Sequence, residues 1–177
     1  MKNIEVEIRA FIDKERYQQL MDFFSYHARF LNEDNQITHY FSWEQDLRIQ
    51  KNDFFAKIWM KKGQIHDDCR EELEIKCAKE DFDKLQQLFL NLWYEIEITW
   101  IRKRVQFDRE GIIVSLDYTK GYGYIIEMEI ISTQIKQNDN LELLRTKFAE
   151  LKIDITPKQE FTQKYEWYKN NWRDLIQ

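Results

Sequence analysis

The sequence predicts an α+β fold: an antiparallel sheet of about eight strands, charged on one face and covered by helices on the other. Three observations predict it. Segments that alternate strictly between apolar and charged residues recur along the chain, the first being Ile4-Glu5-Val6-Glu7-Ile8-Arg9-Ala10. Side chains switch faces at every residue of a strand, so each such segment has one apolar and one charged side. Apolar residues at helical spacing appear after the first strand, mid-chain and at the end, and each such stripe needs an apolar partner. Finally, 4 glycines and 1 proline in 177 residues leave little room for linkers, so residues 1–177 are expected to form one compact domain.

Composition narrows the function classes. Hydrophobic residues make up 43% and aromatics 15%, enough for a real core, while the charged content of 33% exceeds the usual quarter. That charge is nearly balanced, with 32 acids against 27 bases and a net charge of −5, which argues against a polybasic nucleic-acid binder. The chain opens directly into a strand, with no apolar signal segment and no run of membrane-spanning length. Cys69 and Cys77 are too few for a disulfide framework, so a reducing cytoplasm is expected. The expected partner is a small molecule, with no nucleic acid and no membrane, and the expected state is a monomer or homodimer.

Taken in order, the first strand covers residues 4–10, and Asp13 then caps a helix over 14–28 with Tyr17, Leu20, Met21 and Phe24 on one side. Residues 32–44 read as a strand with an irregular start. Leu47–Gln50 and Phe54–Lys62 form a hairpin around Asn52-Asp53, with Arg48, Gln50, Lys57, Trp59 and Lys61 facing one space. Gly63–Asp68 is a polar loop. Strand 70–77 sets Arg70, Glu72, Glu74 and Lys76 against Cys69, Glu71, Leu73, Ile75 and Cys77. A helix over 79–92 carries Phe82, Leu85, Phe89 and Leu92. Residues 94–108 form a long strand whose parity conflicts: Glu95, Glu97 and Thr99 share one face, Arg102 and Arg104 the other, so a common face needs a bulge between 98 and 101. Ile112–Tyr118 and Ile125–Ile131 alternate again, joined by the hairpin turn Gly121-Tyr122-Gly123. Helices over 139–151 and 159–175 follow, the second with Phe161, Tyr165, Tyr168 and Trp172 on one stripe.

On an open sheet the charged faces would meet water; in a closed barrel they would line a lumen, and eight antiparallel strands suffice for a small one. The charge is sorted rather than mixed. Acidic pairs occupy three strands (Glu5/Glu7, Glu72/Glu74, Glu127/Glu129), and bases occupy others (Arg48, Lys57, Lys61, Arg102, Arg104). Glu-x-Glu on a strand sends both carboxylates to one side, a hard-oxygen set suited to Mg²⁺ or Mn²⁺. Arg and Lys suit phosphate oxygens. Together they describe a site for a metal-bound triphosphate.

At this point the sequence resembles a known family. Glu5-Val6-Glu7-Ile8-Arg9 looks like the ExExK signature of the CYTH superfamily, the triphosphate tunnel metalloenzymes. Leu47-Arg48-Ile49-Gln50, Lys61-Lys62-Gly63, Arg70 through Glu74, Arg102-Lys103-Arg104, Leu116-Asp117 and Gly121 through Glu129 follow in the family's order. The resemblance covers essentially the whole chain. It implies a closed eight-stranded antiparallel β-barrel, or tunnel, with a charged lumen and helices packed outside, and a divalent-metal-dependent enzyme acting on a triphosphate. It also implies roles: Glu5, Glu7 and Glu129 on the metal, assisted by Glu127 and by Glu72 or Glu74. By the same resemblance Arg9, Arg48, Lys61, Arg102 and Arg104 grip phosphates, with Lys57 a competitor for the Lys61 role. Asp117 sits beside the metal or the bases.

The departures are specific. Arg9 stands where the signature has Lys, Gln50 where many relatives have a second Arg, and the His-Phe pair that precedes the signature in some class IV adenylate cyclases is missing. The first expectation is therefore a phosphohydrolase, in which carboxylates place the metal, bases hold the phosphates and water attacks the terminal phosphorus. The second is a class IV-type adenylate cyclase making cyclic AMP and pyrophosphate from ATP. The third is a catalytically weak polyphosphate- or nucleotide-binding module. Plainer roles fit the remaining candidates. Cys69 and Cys77 read as buried small hydrophobes and not as a soft-metal site with His66. His39 reads as a hydrogen-bonded structural residue, the last aromatic stripe as packing over one tunnel mouth, and Lys158 or Lys164 as a residue able to reach inward.

Overall fold

The computed structural model describes residues 4–63 and 69–177. His66 and most of the 63–68 loop lie outside them. The elements run β1 (Ile4–Ile12), α1 (Lys14–His27), β2 (Arg29–Phe41), β3 (Asp46–Lys51), β4 (Ala56–Lys61) and β5 (Cys69–Cys77). They continue with α2 (Phe82–Asn91), β6 (Ile96–Arg109), β7 (Ile112–Thr119), β8 (Gly123–Ser132), α3 (Gln137–Glu150) and α4 (Lys158–Leu175). Each boundary falls within a few residues of the sequence reading. Asp13 caps α1 as expected, its carboxylate accepting a 2.7 Å bond from the Arg16 backbone N–H.

The eight strands close into a barrel in the order β1-β5-β4-β3-β2-β6-β7-β8, every pairing antiparallel. Closure decides between the two arrangements the pattern allowed, and the charged faces turn inward. The apolar faces turn out, where helices bury them. Leu20 and Phe24 of α1 and Leu144 and Phe148 of α3 pack on Val6, Ile8, Val105, Phe107, Leu116 and Ile126. Phe82, Leu85 and Phe89 cover Phe41, Ile49 and Ala56. α4 lies across the end where β6 begins and β7 turns into β8. Its Trp172 donates to the Glu97 carbonyl at 2.8 Å, and its Tyr168 hydroxyl bonds the Thr99 and Lys120 carbonyls. At that β7–β8 turn Gly121 has φ 75°, and a Cβ there would sit 2.5 Å from Leu175 of α4. Glycine thus serves both the left-handed backbone and the close approach of the helix.

Two expectations need correction. The apolar side of β5 is covered only at its end: Leu73 and Ile75 are 61% and 59% exposed, and Cys77 is a half-buried free thiol beside the cluster that α2 makes with Phe41, Ile49 and Ala56. The irregularity of β6 also lies elsewhere than between 98 and 101. The β2–β6 register shifts where Tyr40 pairs with Ile98 and Phe41 with Ile96, which leaves Glu97 as the extra residue. From Ile98 onward the strand alternates regularly, so Trp100, Arg102 and Arg104 share the lumenal face. Thr99 turns outward, and its hydroxyl lies 3.0 Å from His39 Nδ1, with the His39 ring 5.2 Å from that of Phe82. His39 is thus structural, as its hydrogen-bonding chemistry suggested, and sits outside the tunnel.

The α1 contact is a direct test of the packing. Phe24 is fully buried with its ring stacked 5.8 Å from Phe107. Phe24→Ala is expected to cost about 3–5 kcal/mol, the loss of a buried aromatic plus the cavity it leaves, measured as the change in unfolding free energy in urea.

Candidate active site

Inside the barrel is a cavity of about 670 Å³. Phe161 and Tyr165 of α4, with Trp100, Tyr122 and Ile125, form its wall at one end. At the other end the β3–β4 turn contributes Asn52 and Phe54, the latter 64% exposed. Every predicted site residue lines this cavity. The strand registers explain why. Glu7 lies directly opposite Glu129, Arg9 opposite Glu127, Arg104 opposite Asp117 and Lys61 opposite Glu72.

One wall is acidic. Glu5, Glu7 and Glu129 each present a carboxylate oxygen, and these lie within 4.8 Å of one another. Glu7 is 5% exposed, and its Oε1 accepts no hydrogen bond among the described residues, with the Arg9 and Arg70 guanidiniums no closer than 3.6 and 3.7 Å. A buried carboxylate oxygen without a donor is costly unless a cation completes it, and three hard oxygens that close together suit a divalent ion. The residues fit such an ion. Glu127, Glu72 and Glu74 lie outside this cluster. Glu127 accepts from Arg104 at 2.9 Å, Glu72 is 3.3 Å from the Lys61 ammonium, and Glu74 accepts from Lys57 at 2.6 Å.

The rest of the lumen is basic, and each base is held by an acid. Arg48 makes a forked contact with Asp46, which also accepts from Arg70 at 2.6 Å. Arg104 donates to both oxygens of Asp117 at 2.8 and 2.7 Å, and Arg102 reaches the same carboxylate at 3.2 Å. Asp117 thus sits beside the bases. Arg9 stands 3.6 Å from Glu7 with its guanidinium over the Phe161 ring. Gln50, uncharged, donates to Gln36 Oε1 and Thr38 Oγ1 at 3.1 and 3.0 Å, and Gln36 in turn accepts from Arg102. Lys158 and Lys164 contribute no wall to this cavity; Lys164 lies over Phe11, 4.0 Å from the ring centroid. Arg70, Gln36, Tyr40 and Trp100 also line the cavity, and Asp46 holds Arg48 and Arg70; the sequence reading gave none of these five a role. Asp46 was legible, since it stands two residues before Arg48 and so shares its face.

The two acids of the Glu7–Glu129 pair respond oppositely to the same barrel. Burial raises the Glu7 pKa, but Lys61, Arg9, Arg70 and Arg48 outweigh it and hold the carboxyl well below its usual range. Burial together with the charges of Glu127 and Glu5 pushes Glu129 up to about 9. A folded-state value above the unfolded one means that the native state binds the extra proton. The stability this gives is full below the unfolded value of 4.5 and is lost as pH rises through about 9. Without divalent metal, the urea midpoint is expected to fall as the solution is made alkaline, and Glu129→Gln to flatten that decline; urea titrations across the range measure it.

Comparisons with known proteins agree with this geometry. No protein-family model matches the chain. It is 32% identical over 148 residues to a Methanocaldococcus jannaschii protein named "putative adenylate cyclase", covering 78% of this chain and 83% of that one. Its fold matches the PH1012 protein of Pyrococcus horikoshii with a TM-score of 0.75 at 17% identity, over 85% of this chain and 91% of that one. A "putative adenylate cyclase" of Vibrio parahaemolyticus matches at 0.70 and 16% identity, over 92% and 99% of the two chains. A Hippeastrum protein, a "putative adenylyl cyclase" described as having a dominant triphosphatase activity, matches at 0.61 and 18% identity, over 85% and 88%. A closed eight-stranded tunnel with an acidic cluster facing arginines, and a relative of this identity and coverage, place the chain in the CYTH superfamily of triphosphate tunnel metalloenzymes.

Proposed function

We propose that this protein is a Mg²⁺- or Mn²⁺-dependent phosphohydrolase acting on a triphosphate, either inorganic tripolyphosphate or the triphosphate of an organic carrier. The observation that carries the reading is the juxtaposition, in one cavity, of the Glu5/Glu7/Glu129 cluster with five arginines, of which Arg70 is buried and Arg9, Arg48, Arg102 and Arg104 are half-buried. Glu5, Glu7 and Glu129 would hold the metal. When bound, a divalent cation neutralises phosphate oxygens and stabilises the charge that develops in phosphoryl transfer. Glu127, Glu72 and Glu74 would act one step removed, each through the base it pairs with.

The chain's own part is to bind and orient. Arg9, Arg48, Arg102 and Arg104 present planar donors that match phosphate oxygens. Asp46 and Asp117 fix the orientation of those forks before substrate arrives, which lowers the reorganisation needed on binding. Burial and its Arg104 neighbour lower the Arg102 pKa, a sign of surplus positive potential where an anion would be welcome. Lys57, at the rim with Glu74, would meet the substrate as it enters. The wall formed by α4 at one end limits water access to that side. Cys77 as a free thiol supports a reducing, cytoplasmic setting, and no described helix is long and apolar enough to cross a membrane.

A second reading, adenylate cyclisation, is favoured by the name of the Methanocaldococcus jannaschii relative. The same cluster and arginines would bind ATP, and the ribose 3′-hydroxyl would attack the α-phosphorus, with pyrophosphate as the leaving group. ³¹P NMR with Mg²⁺ or Mn²⁺, given tripolyphosphate and ATP separately, decides between them. Orthophosphate is the expected product. Cyclic AMP with pyrophosphate from ATP would establish the cyclase, and metal-dependent binding without turnover would leave a binding module. Glu7→Gln is expected to lower kcat/KM by more than ~100-fold, beyond the effect typical of removing an outer metal-site partner, while circular dichroism confirms the fold.

A further inference from the structure

Lys61, the last residue of β4, places its ammonium among the carboxylates of the metal cluster. Its Nζ is 2.5 Å from Glu5 Oε2, 3.3 Å from Glu72 Oε2 and 3.7 Å from Glu7 Oε2, and its side chain is only 9% exposed. The lumenal arginines differ in where they are anchored. Arg48 and Arg70 are tied most closely to Asp46, and Arg102 and Arg104 to Asp117, acids outside the Glu5/Glu7/Glu129 cluster, while Arg9 and Arg70 approach Glu7 only at 3.6 and 3.7 Å. Lys61 makes its closest contact with a member of the cluster itself.

The two kinds of cation compete for the same carboxylates. A divalent ion held by Glu5, Glu7 and Glu129 would face the Lys61 charge within a few ångströms, and like charges at such distances in a buried site repel strongly. An ammonium on a flexible four-carbon stem can turn away, which a planar, doubly anchored guanidinium cannot do cheaply. The phosphate oxygens of a bound substrate are then its natural acceptors.

We propose that Lys61 is a tethered counter-ion of the metal centre. It neutralises Glu5 and Glu7 while no metal is bound, is displaced when a divalent cation enters, and then moves to the phosphate chain. The inference rests on the reading that the Glu5/Glu7/Glu129 cluster holds the metal. It makes metal and phosphate binding mutually reinforcing through one side chain, and such coupling is reciprocal. A lysine serving only as a structural ion pair would add stability and have no such exchange.

Calorimetric titration of the protein with Mn²⁺ alone separates these cases. Lys61→Met is expected to bind Mn²⁺ at least ~10-fold more tightly than the wild type, the direction required by removing a competing buried charge, whereas Lys61→Arg should gain much less. In EDTA the Met variant should melt lower than the wild type and recover when Mn²⁺ is added. Equal or weaker Mn²⁺ binding by a folded Lys61→Met would overturn the proposal, and Lys61→Gln repeats the test if the Met variant does not fold. The wild type carries its own check: in ¹⁵N-lysine spectra, with Lys61→Arg giving the assignment, Mg²⁺ should shift the Lys61 ammonium resonance, and an unmoved resonance overturns the exchange. A wild type that binds no Mn²⁺ would instead sink the metal reading on which the inference stands.

Discussion

Charges taken out of water into a barrel must be compensated there, and nearly everything about this tunnel follows from how that is done. Moving a carboxylate or a guanidinium into a low-dielectric interior costs several kcal/mol unless a partner meets it. The lumen meets that demand with pairs inside one strand, as Arg48 with Asp46, between adjoining strands, as Arg104 with Asp117, and between strands that do not adjoin. Arg70 on β5 meets Asp46 on β3, and Lys61 on β4 meets Glu5 on β1. Where like charges face each other, as Glu7 and Glu129 do across β1 and β8, the compensation is uneven: Lys61, Arg9, Arg70 and Arg48 hold Glu7 ionised, while Glu129 carries a raised proton affinity.

The helices serve this arrangement from outside. A barrel with a polar lumen cannot bury its apolar residues inward, so its hydrophobic core is displaced to the outer faces, where α1, α2 and α3 complete it. α4 does a different job. Its aromatic stripe meets Trp100, Tyr122 and Ile125 across one end, making a tunnel into a cavity with a wall at its back. The guanidiniums of Arg9 and Arg48 lie over the rings of Phe161 and Tyr40, so aromatic faces add to the compensation of buried positive charge.

Much of this was legible in the sequence because strand alternation is a strong signal and the charges were sorted by strand. The Glu5/Glu7 pattern and the Arg102/Arg104 pattern each assign a face without further knowledge. Periodicity does not say which strands adjoin, however. The partnership of Asp46 with Arg70, and the distinction between the clustered Glu129 and the paired Glu127, depend on registers between strands distant in sequence. Parity read alone also misplaced the irregularity of β6, since one extra residue at Glu97 shifts the face of everything before it. The bare outer side of β5 escaped for the opposite reason. Its Leu73 and Ile75 look like core residues locally, and only the placement of the helices leaves them in water.

Gln50 shows how a departure from a family's pattern can keep part of its role. In place of a second arginine, the residue brings no charge to the lumen, yet it is 4% exposed and fully engaged. Its amide donates to Gln36, and the same Gln36 oxygen receives Arg102. The orientation of a guanidinium that faces the cavity is therefore set partly by a neutral amide on the strand beyond its neighbour. A charged residue at this position would add another base to a lumen in which Arg102 already feels Arg104. The neutral one lets Arg102 stay directed without raising the local positive potential further. The basic side of the tunnel is thus organised by amides as well as by ion pairs, and Gln50 in place of a second arginine is a change in how the remaining ones are held.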